Sequence, residues 1–254
     1  MVAFVLRFIR NNAYLFRFRC NCLFLMRKLK TMKKKVLNKR AWHNIILLTL
    51  NFIYIFVIGL FIRDGNQSFV YYTFISLIYL SSILVIKDES SYYFYIPAIM
   101  ILLTWISEFL DLQVLSDITS VISTLFFMAV IVLLIVRIAK SKRANILEFL
   151  ESINVYLLLG IAGSVLFGWL YRMNPDAFTA STGEFSNQAD FIYFSFVTMT
   201  TLGYGDILPV SPLARSFTIM FSVTGQLYLT MIIAMLVGKY LSANQSDQNK
   251  GNKN

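Results

Sequence analysis

Towards its carboxyl end the chain reads Thr200-Thr201-Leu202-Gly203-Tyr204-Gly205-Asp206. The chemistry open to this stretch is that of its backbone. A cation stripped of water needs a cage of oxygens, and peptide carbonyls supply one if successive ones turn to the same side. That arrangement calls for alternate residues in conformations that side chains disfavour, which Gly203 and Gly205 reach at little steric cost. Leu202 and Tyr204 would then point away from the carbonyl row and pack behind it. Thr201 can add its hydroxyl to its carbonyl at the inner end. Other chemistries have little to work with. The chain holds one histidine, His43, and two cysteines, Cys20 and Cys22. No nucleophile–base constellation suggests an enzyme. A C-x-C pair without neighbouring ligands falls short of a structural zinc site, and no cofactor is implied.

The elements that must position this stretch are apolar. Of the 254 residues 57% are hydrophobic and only 14% charged, which describes a polytopic membrane protein and no soluble domain of this size. Six runs are long enough to span: Asn44–Phe61, Phe69–Ile86, Tyr92–Leu110, Ile118–Ile138, Ile153–Tyr171 and Leu213–Leu241. Between the last two lies a shorter apolar segment, Phe191–Thr200, too short to cross as a helix and suited to a re-entrant one. Irregular backbone at membrane depth survives only when buried in protein or lining a wet cavity, as the stretch after this segment would be.

Charge distribution tests that count. With the amino terminus in the cytoplasm, twenty of the 23 Lys and Arg fall on the inner side, leaving Arg63, Arg172 and Arg215 outside. Both termini are therefore expected to be cytoplasmic. The net charge of +10 follows the membrane and is no nucleic-acid footprint. Residues 1–43 mix Phe, Leu and Ile with Arg and Lys, as a basic interfacial helix on the inner leaflet would, and either Met1 or Met32 fits as a start. Residues 242–254 are polar and expected to be disordered. Residues 139–152 form a basic, then amphipathic linker, with Ile146, Leu147, Phe149 and Leu150 at helical spacing.

Thr201 to Asp206, TLGYGD, resembles the selectivity filter of potassium channels, and from Ile153 to Leu241 the order span, pore helix, filter, inner span resembles that family's pore module. The resemblance implies an all-α membrane protein with six transmembrane helices, a re-entrant pore helix and a filter loop. It implies K+ held by Thr201, Leu202, Gly203 and Tyr204, with Gly205 completing the filter and Asp206 at the outer mouth. It also implies a homotetramer in a cell membrane, since one loop supplies one oxygen per layer. Residues 44–138 form the peripheral four-helix domain, 139–152 resemble the family's interfacial linker, and 153–241 form the pore domain. Thr200, Tyr193 and Asp190 belong to the pore helix. Asp190, placed just ahead of that helix, suits its free amides or simply faces the outer vestibule.

Some positions depart from the family pattern. Val197 stands where several bacterial members carry a buried Glu, and Tyr193 and Phe194 stand where two tryptophans often brace the filter. Of these, Tyr193 alone can donate a hydrogen bond. Leu202 replaces the more usual Val or Ile. Gly225, nineteen residues after Asp206, occupies the position of the family's inner-helix hinge, or else is a close-packing contact. Ser222, Gln226, Leu229, Ile233 and Val237 share a face, with Ile233 and Val237 as a candidate inner constriction; Gln226 could instead bond a neighbouring helix. Ile118–Val136 contains no charged residue, so weak voltage gating or none is expected. A non-conducting modulatory subunit is the alternative. A Trk/Ktr-like uptake subunit fits less well, because those proteins fold four pore repeats from one chain.

Overall fold

Long uncharged runs leave the backbone no partner but itself, so helices dominate. A computed structural model describes residues 39–57, 67–86, 95–110, 113–141, 146–181 and 187–251. The chain divides into two units, Met1–Trp42 and His43–Asn254. The interfacial role expected of the amino-terminal segment lies outside the described residues up to residue 38. α1 (Lys39–Val57), which lies in the second unit from His43 onward, ends in a π-helical turn, Ile53–Val57. It is followed by α2 (Gln67–Ile86), α3 (Tyr95–Phe109), α4 (Gln113–Lys140) and α5 (Ile146–Met173). A 3-10 turn, Pro175–Ala177, leads into β1 (Phe178–Ala180), α6 (Gln188–Met199), β2 (Ile207–Pro209) and α7 (Pro212–Gly251).

Among the described residues, four helical stretches are long and apolar enough to cross a membrane: Lys39–Val57, Val114–Lys140, Leu147–Met173 and Pro212–Leu241. The second and third expected spans appear as shorter apolar helices, Val70–Val85 and Ala98–Ser107. The expected pore helix is α6, which starts three residues earlier than its apolar run because Gln188 to Asp190 complete its first turn.

Three expectations are corrected. Of the linker expected over 139–152, residues 139 and 140 end α4 and those from Ile146 onward are the first two turns of α5. Its buried face carries Glu148, Glu151 and Ser152, whose partners lie on neighbouring helices, so the segment is held against protein. The tail over 242–254 is helical as far as Gly251; no Pro or Gly interrupts it after Gly238, and propagating an existing helix costs little. The fold is not purely α, because β1 and β2 pair antiparallel in the register Phe178↔Pro209, Thr179↔Leu208 and Ala180↔Ile207.

Phe167 on α5 is the hub where α5, α6, α7 and β1 meet. Its ring lies 4.9 Å from Phe194 of α6, 6.0 Å from Phe178 of β1 and 5.5 Å from Phe221 of α7. Glycines let α5 approach α6. A Cβ at Gly160 would stand 2.3 Å from the Phe196 ring, and one at Gly163 2.3 Å from Ser195 Oγ. That closeness lets the Ser195 hydroxyl donate to the Gly160 carbonyl at 2.7 Å.

A polar cluster joins α1, α2, α4, α5 and α7 at one end of the bundle. Arg137 donates to the Val85 carbonyl at 2.7 Å and pairs with Glu151 at 3.5 Å. Glu151 also accepts from Asn44 at 3.3 Å. Lys239 of α7 pairs with Glu148 at 3.5 Å and donates to the Ile138 carbonyl, and Ser141 donates to Glu148. Arg137 thus has specific partners, beyond general positive-inside anchoring.

Candidate functional site

The site is built from the end of α6 and the turn that follows it. Its backbone alternates as the glycine spacing requires: Thr201, Gly203 and Gly205 lie at φ +59°, +54° and +79°, with negative φ between them. For the glycines this region is free of steric cost. For Thr201 it is strained, and such strain persists only where the surroundings over-determine it. The amides of Leu202 and Gly203 both donate to the Val197 carbonyl, at 3.0 and 3.4 Å, which ties the start of the turn to α6. The Thr201 hydroxyl donates to the Thr200 carbonyl at 2.7 Å and accepts from the Gln226 amide at 3.3 Å. One of its two lone pairs is then left without a hydrogen bond. Gln226 therefore meets the filter turn of its own chain; the sequence alone had left it between the cavity face and a neighbouring helix.

The carboxyl end of this turn is fixed by the strand pair. β2 follows Asp206 directly, and Ser181 N–H donates to the Asp206 carbonyl at 2.8 Å. The Asp206 carboxylate accepts from the Tyr193 hydroxyl at 2.6 Å. That bond to an anion holds the Tyr193 proton and pushes its pKa up to about 12. The Tyr193 and Tyr204 rings stack at 6.5 Å with 7° between their planes. Phe194 turns the other way, buried against Phe167 and Phe178.

Asp190 sits in the first turn of α6, where its carboxylate accepts from the Asn187 N–H at 3.1 Å. This is the capping geometry, and it places the charge at the positive end of the helix dipole. At the other end Thr200 caps through its hydroxyl, 2.7 Å from the Phe196 carbonyl.

Leu202 and Tyr204 were expected to pack behind the filter. In the single chain they are 59% and 67% exposed, so that packing needs a surface this chain does not itself supply. Ile233 and Val237 are likewise exposed. Gly225 lies inside an unbroken α7, where a Cβ would come 2.5 Å from the Met199 carbonyl oxygen. The inner helix therefore touches α6 two residues ahead of Thr201, which supports the close-packing reading of Gly225. The residues that reasoning from sequence missed here are Gly160 and Gly163. The small residues Gly160, Ala162, Gly163 and Ser164, close together in one span, were the available signal.

Residues 155–242, from α5 through α7, match a family described as "Ion channel". The chain is 37% identical over 87 residues to the two pore potassium channel c of Oryza sativa subsp. japonica, covering 34% of this chain and 18% of that protein. It is 33% identical over 92 residues to two-pore potassium channel 5 of Arabidopsis thaliana, covering 36% of this chain and 20% of that protein. It is 40% identical over 60 residues to the voltage-gated potassium channel Kch of Escherichia coli (strain K12), covering 24% and 14%. The chain thus spans a fifth or less of the length of these relatives. No solved structure gives a significant match. These similarities point to a multi-pass membrane channel protein and away from an enzyme.

Proposed function

We propose that this chain is one subunit of a potassium-selective channel, passing K+ passively through a pore that four copies build together. The observation that carries the proposal is the alternation at Thr201, Gly203 and Gly205. Left-handed residues at every second position turn successive carbonyls toward one side, as a cation cage requires. The exposed Leu202 and Tyr204 support assembly, since neighbouring copies would cover them and close the ring. Thr201, Leu202, Gly203 and Tyr204 are the K+ ligands in this reading, and Asp206 is the outer-mouth carboxylate.

The reading includes six spans with both termini in the cytoplasm. α2 has 20 residues, about 30 Å at helical rise and enough to cross. α3 has 15, about 22 Å at helical rise. Potassium-loaded liposomes carrying the purified protein test the proposal. Efflux should be fast with potassium inside and absent with sodium in its place. Equal efflux of both ions, or of neither, contradicts it, and altered current only on co-expression with another channel would favour the modulatory subunit.

A further inference from the structure

A cavity of about 280 Å3 lies in the outer half of the peripheral helices, away from the filter. Five helices wall it: α1 through Tyr54, α2 through Tyr71 and Tyr79, α3 through Thr104, α4 through Thr119 and Ser123, and α5 through Tyr171. The sixth wall is the first turn of the pore helix, at Gln188 and Phe191. Its volume sits at the small end of the range that holds organic ligands.

The hydrogen-bond pattern of the wall defines what would fit. Thr104, Ser107 and Thr119 each donate their hydroxyl proton back to a carbonyl of their own helix, at 2.7 to 2.9 Å. Each still has lone pairs to offer. Tyr79 donates to Ser123 at 2.6 Å, leaving Ser123 its own proton and a free lone pair. Arg172 is paired with Asp117 at 3.5 Å and donates to Ser120, so the charge on this wall is already matched. Tyr54 is the exception. It is 1% exposed, and its hydroxyl makes no well-formed hydrogen bond among the described residues. The Gln188 side chain is its one hydrogen-bonding neighbour there, in a looser geometry than the bonds above. A buried hydroxyl in this state costs free energy that a ligand would recover.

We propose that this cavity is a binding site for a small neutral molecule with an aromatic body and one hydroxyl donor, of the alkylphenol class. The ligand hydroxyl donates to the acceptor oxygens of α3 and α4 and accepts from Tyr54, and its ring lies against Tyr71 and Tyr79. A charged ligand is disfavoured because, among the described residues, no unpaired counter-charge faces the cavity. The site adjoins the pore: Gln188 and Phe191 belong to the helix that ends at the filter, and α5 presses on Phe191 through Gly168, where a Cβ would stand 3.3 Å from its ring. Occupancy therefore bears on how α6 is held. The binding site itself does not rest on the potassium-channel proposal, and its test reads labelling, not current.

The test uses the purified full chain in liposomes and a diazirine-bearing alkylphenol, with adducts mapped by mass spectrometry. Adducts should concentrate on Tyr54, Tyr71, Tyr79 and Gln188, saturate, and be competed by the parent phenol. The methyl ether of that phenol, which has lost the donor, should compete about tenfold less well. Tyr54→Phe, which keeps the ring, should weaken labelling about fivefold, and Thr119→Trp, which fills the cavity, should abolish it. If Thr119→Trp fails to fold, the ether and Tyr54→Phe comparisons decide alone. Adducts spread over the outward-facing Leu125 and Val132, or equal competition by phenol and ether, would overturn the proposal. So would labelling of Tyr54→Phe at the wild-type level.

Discussion

Replacing Gly225 with Ala separates a close contact from a hinge. The new Cβ would stand 2.3 Å from Met199 Cγ and 2.5 Å from the Met199 carbonyl oxygen. Ordinary contact begins near 3.4 Å, so α7 and the end of α6 must part by about 0.9 Å along that direction. Met199 is fully buried, and its carbonyl belongs to the last residue of α6, so neither yields freely. Overpacking of this kind costs about 1–3 kcal/mol. At roughly 2–4 °C per kcal/mol for a chain of this size, the midpoint should fall by about 2–12 °C. Thermal unfolding of the purified protein, followed by size-exclusion chromatography after heating, measures it. Met199→Ala in the same background should not restore stability, because the backbone oxygen remains. A Gly225→Ala protein as stable as wild type, with altered open probability, would refute the packing argument and support the hinge.

Gly203→Ala and Gly205→Ala should each degrade selectivity. A left-handed residue with a side chain costs about 1–2 kcal/mol, repeated in every copy around the pore, and reversal potentials measure the loss. Tyr193→Phe removes the bond to Asp206 and should speed the decay of current during sustained opening. The pKa of Tyr193 is raised, so its contribution to filter stability is fully present below its unfolded value near 10. That contribution is lost as pH rises through about 12, and the loss should be missing in Tyr193→Phe. Lys239→Glu should destabilise the carboxyl half of α7 by leaving Glu148 buried without its ion-pair partner. Combining it with Glu148→Lys should restore much of the loss in a double-mutant cycle of thermal stability. Voltage dependence should be shallow, because α4 has no charge between Ile118 and Val136. Conductance measured from about −150 to about +100 mV should give an effective valence below about three.

The parts of the site legible in the sequence were those written in a few consecutive residues. Gly203 and Gly205 announced the alternating backbone, and the length of the apolar run from Phe191 announced a helix too short to span. What escaped the sequence depends on pairs far apart along the chain. β1 and β2 are three residues each, and neither carries a pattern that names the other as partner. Asn44 and Glu151 meet across 107 residues, and Asn51 and Asn154 across 103. Each of these polar residues, read alone in an apolar span, says only that some partner exists. The linker misreading has the same source. Ile146, Leu147 and Leu150 are amphipathically spaced, but the face opposite them carries Glu148 and Glu151, whose partners lie on α4 and α7. The strained φ of Thr201 also gave no local sign, because threonine rarely takes that conformation and only its surroundings impose it here.

The central claim, a carbonyl cage selective for potassium, is tested most directly by a bi-ionic reversal potential. The purified protein is placed in a planar bilayer with potassium on the cytoplasmic side and an equal concentration of sodium on the other. Each tenfold preference for potassium moves the reversal potential by about 59 mV at one charge per ion. A hundredfold preference or better puts it at about −120 mV or beyond. A reversal potential near zero, with current carried equally by both ions, would contradict the account.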